Sequence, residues 1–88
     1  MTLAEFFAMP LPRQCRALYL HGEFVMAIRY YRHKVNLYLL NGEYLEVFYN
    51  HKQGIIEAIR PLDTASKRMN FYADQVKLKS LGSFQDGR

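Results

Sequence analysis

Cysteine is almost missing from this chain. Cys15 is the only one, which excludes an internal disulfide framework and points to a reducing, cytoplasmic setting. No apolar run approaches the roughly 18 residues of a membrane span, so no membrane association is expected. The first residues carry no basic cluster, and Glu5 interrupts the first apolar stretch, so a secretion signal is not expected there. A glycine-rich phosphate loop, a Cys-x-x-Cys pair, a His-Glu-x-x-His helix and a Gly-x-Ser-x-Gly elbow are all lacking. Acidic residues are sparse and scattered. Glu43 and Glu46 fall on opposite faces of one strand and do not form a general acid and base pair. Internal repeats and linkers are absent too.

What is present is a small, basic, globular chain. Its 88 residues suffice for one domain over about 1–78, and half of them are hydrophobic, which separates it from disordered chains. Beyond Leu78 the composition turns to Ser, Gly, Gln, Asp and Arg with a lone Phe84, so 79–88 reads as a flexible tail. The fold class reads as α+β: N-terminal helices, an antiparallel β-meander of three to four strands over about 23–60, and a C-terminal helix over about 64–77.

Local signals place the helices. Thr2-Leu3-Ala4-Glu5 has the form of a capping box, in which side chains satisfy the orphan amides of a first turn. Pro10 ends that helix, Pro12 suits the start of a second, and Gly22 is placed to close it. Leu11, Cys15 and Leu18 form the inward stripe of the second helix, with Arg13, Gln14 and Arg16 outward. His21 complements the carbonyls at its end. Asp63 or Thr64 can cap a last helix with Ala65, Met69, Tyr72 and Val76 inward. Cys15 on an apolar stripe reads as a buried structural thiol, since reactivity needs an exposed, electropositive setting.

The meander turns on Asn41-Gly42, a strong hairpin signal compatible with more than one loop length. A two-residue loop sets Leu37 against Glu46 and Asn36 against Val47, mixing polar and apolar residues on both faces. A three-residue loop, Leu40-Asn41-Gly42, sets Leu37 against Leu45, Val35 against Val47 and His33 against Tyr49. A sheet with one buried face selects the second register. The expected inner face is then Phe24, Met26, Ile28, Val35, Leu37, Leu39, Leu45 and Val47. The segment 55–60 fits strand or helix, and an edge strand closed by Pro61 is favoured.

In this register the outer face is aromatic. Tyr31, Tyr38, Tyr44 and Phe48 form a candidate interaction face, bordered by a candidate basic patch of Arg29, Arg32, His33, Lys34, His51 and Lys52. Three coverings fit such a face: the N-terminal segment with Phe6, Phe7 and Met9, a second copy of the chain, or stacked single-stranded nucleic acid. His33 and His51 share one end of the meander, but no third metal ligand joins them. No catalytic residue, cofactor site or metal site is assigned. The favoured function is non-enzymatic binding, to a homodimer mate or a protein partner. Nucleic-acid binding is the alternative, and a small histidine- or metal-dependent enzyme stands third.

Overall fold

The computed structural model describes residues 1–76; the expected tail over 79–88 and the end of the last predicted helix lie outside them. Two helices, α1 (Leu3–Ala8) and α2 (Leu11–His21), precede four strands, β1 (Glu23–Tyr30), β2 (His33–Leu40), β3 (Glu43–Asn50) and β4 (Ile55–Pro61). A further helix, α3, runs over 68–76. The strands form one antiparallel sheet in the order β1-β2-β3-β4, so the segment after Gly54 is an edge strand, as β1 is at the other side.

The capping box forms as its spacing requires: Glu5 N donates to Thr2 Oγ1 at 3.1 Å and Thr2 N to Glu5 Oε1 at 2.8 Å. Gly22 closes α2 for a steric reason: a Cβ there would meet the Leu18 carbonyl oxygen at 2.8 Å. Gln14, expected to face out, is buried, and its Nε2 donates to Met9 O at 2.9 Å, tying α2 to the end of α1. Helix α3 starts later than expected. Asp63 caps a turn instead, accepting from Ala65 N at 2.9 Å, and Ser66 Oγ then accepts from Arg68 N at 3.1 Å. Of the expected α3 stripe, Tyr72 is buried and Met69 half-buried, while Ala65 and Val76 are exposed.

The hairpin register differs from the one a single buried face selects. Leu40 pairs with Glu43, Leu37 with Glu46 and Asn36 with Val47, so the loop is the two-residue Asn41-Gly42. Both residues have positive φ, 51° and 79°, the type I′ geometry whose twist matches its strands. The first turn is likewise a two-residue one, Tyr30 pairing with His33 across Tyr31-Arg32.

The cause is that the sheet has two buried faces. On one, α1 and α2 bring Phe6, Ala17 and Leu18 against Leu40, Leu45, Val47 and Ile59. On the other, α3 brings Tyr72 against Ile28, Val35, Leu37 and Phe48. The expected inner face is therefore split: Leu45 and Val47 lie on the α1/α2 side, and Phe24 is left 54% exposed at the sheet edge. Strand β3 is covered on both faces, which removes the alternation that register arguments need. Its central carboxylate, Glu46, is wholly buried and held from α3. Arg68 donates through Nε and Nη2 at 2.8 Å each, and the Tyr72 hydroxyl donates at 2.8 Å.

Candidate functional site

One end of the sheet, on the α3 side, gathers charge and aromatic rings. Two hairpin turns meet there, Tyr31-Arg32 and the longer connection after Asn50. Asn50 organises the second: its Oδ1 accepts from Lys52 N at 3.1 Å and Gln53 N at 3.2 Å, and Gly54, at φ 70°, takes the left-handed position. A bulge between Ala58 and Ile56 leaves Glu57 without a pairing partner on β3. Bulges re-aim side chains, and here the Glu57 carboxylate accepts from Asn50 Nδ2 at 2.9 Å and meets His33 Nε2 at 2.6 Å. Those two bonds, His33 first, hold Glu57 below the usual carboxylate range.

Beside this pair opens a cleft of about 620 Å³, lined by Tyr30 and the first turn, by Phe48, and by Ala58, Arg60 and Arg68. Two guanidinium groups approach the Phe48 ring, Arg60 at 5.4 Å and Arg68 at 5.1 Å from its centroid, and Arg68 also lies 5.6 Å from the Tyr30 ring. Stacking uses the face of a guanidinium and leaves its N–H edges for other partners. Arg68 spends one edge on Glu46. Arg60 is paired with Glu46 in the strand register, yet forms no hydrogen bond or ion pair among the described residues. The buried carboxylate opposite it, Glu46, already accepts three hydrogen bonds from Arg68 and Tyr72. Across Tyr30 and Tyr31 lies a second cleft of about 380 Å³, lined further by Arg29, Lys67, Asn70 and Phe71.

The expected interaction face is not one surface. Phe48 is buried at the floor of the cleft on the α3 side. Tyr38 is half-buried on the opposite face, where it packs with the α1/α2 core. Tyr44 and Tyr31 are exposed, at opposite ends of the sheet. The residues of the expected basic patch lie at one end of the sheet. Arg32 and His33 line the large cleft and Arg29 the smaller one. Lys34 and Lys52 are exposed at the same end and line neither. His51 accepts from Arg29 Nη2 at 3.1 Å, so the two histidines are bonded separately rather than to a common ligand. No three His, Cys, Asp or Glu side chains come together among the described residues, and no helix among them is long and apolar enough to cross a membrane.

Sequence reasoning missed Arg60, Arg68 and Glu57. The signal for Arg68 was available: a glutamate between Leu45 and Val47 in a doubly covered strand requires a cation, and Arg68 stands four residues before the inward Tyr72. Nothing local marks Arg60 or the bulge at Glu57. Comparison with protein families, curated proteins and solved structures finds no match for this chain.

Proposed function

We propose that this protein is a small non-enzymatic binding protein that takes an anionic partner at the cleft beside Phe48. One observation carries the reading: Arg60 and Arg68 converge on a single ring, while the only buried carboxylate among the described residues, Glu46, is bonded by Arg68 and Tyr72. An anion supplied from outside would complete the donors left over, with charge-assisted hydrogen bonds of the stronger kind.

Three titratable groups are poorly suited to acid and base chemistry, which works best with a pKa near the working pH. Glu57 is held low by its bonds, and Tyr72 is pushed far above the ordinary tyrosine value by burial and by donating to Glu46. Burial likewise raises the Cys15 thiol, against formation of the thiolate. The reason for expecting a homodimer was an uncovered aromatic face. Helices α1 and α2 now stand over the Tyr38 side and α3 over the Phe48 side, so the binding role moves from a sheet face to its end.

Titration of ¹⁵N-labelled protein with inorganic phosphate tests the proposal. Amide shifts should concentrate at 30–33, 57–60 and 68, and Arg60→Ser should remove them. Shifts spread over the molecule, or centred on Arg13 and Arg16 of α2, would refute it.

A further inference from the structure

Tyr31 is the residue that the fold does not explain. It occupies the first central position of a two-residue hairpin loop with φ 57°, while Arg32 after it is not in the positive region. That pattern favours glycine at this position, and a bulky residue there is a true outlier. Strain of this kind persists where something requires it. Packing does not: among the described residues Tyr31 is 86% exposed, and its one aromatic neighbour there is Tyr30, with ring centroids 4.7 Å apart in a T-shaped arrangement. The neighbouring hairpin places Asn41 and Gly42, residue types that tolerate positive φ, at its two positive-φ positions.

The surroundings indicate what the ring is for. Tyr30 and Tyr31 divide the two clefts, and cations line both: Arg32, Arg60 and Arg68 on one side, Arg29 and Lys67 on the other. Against these five, Glu57 is the only carboxylate in either lining. Phe71, 43% exposed, adds a second accessible ring in the smaller cleft. A ring that projects between two cationic clefts fits a polymer that alternates π faces with phosphates. A duplex hides its base faces, and an acidic peptide supplies charge without a ring to stack.

We infer that the anionic partner is single-stranded nucleic acid, one base stacking on Tyr31 and the phosphates on either side of it resting on Arg32 and Arg60 and on Arg29 and Lys67. This rests on the cleft being the binding site, as proposed above. Base stacking on an aromatic side chain and phosphate neutralisation are the two terms by which single strands are held.

The test uses the full chain and a short, labelled, mixed-sequence single-stranded DNA, with its duplex and inorganic polyphosphate as comparators, read by fluorescence anisotropy. The single strand should bind more tightly than either comparator. Tyr31→Asn should weaken binding about tenfold or more, the loss of one stacked base, without lowering the thermal midpoint, because asparagine is no worse than tyrosine at positive φ. Tyr31→Phe should keep the affinity. Arg32→Ser with Arg60→Ser should reduce the slope of log affinity against log salt by about 1.4, at about 0.7 for each phosphate contact on a single strand. Equal binding of single strand and polyphosphate, or undiminished binding by Tyr31→Asn, would overturn the inference. If phosphate shifts still map to the cleft in that case, the binding site stands and only its nucleic-acid partner falls. If the shifts disperse as well, both fall.

Discussion

Removing the Arg68 guanidinium should expose how much of the fold depends on Glu46. Arg68→Met keeps a long apolar stem against Phe48 and Tyr30 but takes away both donors at 2.8 Å, leaving a carboxylate with no exposed surface and only the Tyr72 hydroxyl. Breaking a buried pair from one side costs about 3–5 kcal/mol. A domain of this length has a total stability of about 4–13 kcal/mol at 0.05–0.15 kcal/mol per residue, so the loss at neutral pH is a large share of the whole. Urea unfolding followed by circular dichroism at neutral pH measures the loss. Adding Glu46→Leu and Tyr72→Phe should recover much of the loss, because a well-packed apolar replacement of a buried pair is often neutral or better. A deficit below about 1 kcal/mol would refute the burial of Glu46 and with it the β2-β3 register.

Three further outcomes follow from the same structure. Gly42→Ala should cost about 1 kcal/mol or more through backbone strain alone, since Gly42 sits at φ 79° with open space where a Cβ would go; denaturant midpoints check it. Leu37→Ala and Leu45→Ala, on opposite faces of the sheet, should each cost about 2–5 kcal/mol, and a clearly milder loss at Leu45 would mean that α1 and α2 do not cover their face. Tyr72 has a raised folded pKa, so its contribution is complete below the unfolded value of about 10 and declines as pH rises beyond it, by up to about 1.4 kcal/mol per unit; the stability difference between wild type and Tyr72→Phe should therefore shrink in urea melts above pH 10.

The sequence by itself determined the elements and their order. The Thr2 capping box, Pro10, Gly22, the alternation of β1 and the Asn41-Gly42 pair are local devices, each acting within a few residues, and local chemistry suffices to read them. The basic character of the turn end was legible in the same way, from Arg29, Arg32 and His33 close together in the chain. Tertiary structure alone decided the register of β3 and the site. A polar residue such as Glu46 marks a solvent face when one side of a sheet is covered, but when both sides are covered it marks a buried ion pair. Only the approach of α3, which brings Arg68 across 22 residues of chain, distinguishes the two. The cleft has the same origin. Phe48, Glu57, Arg60 and Arg68 come from β3, a bulge, β4 and α3, and no spacing in the chain encodes their meeting; it arises because sheet pairing and the docking of α3 bring them to one end of the α3 face.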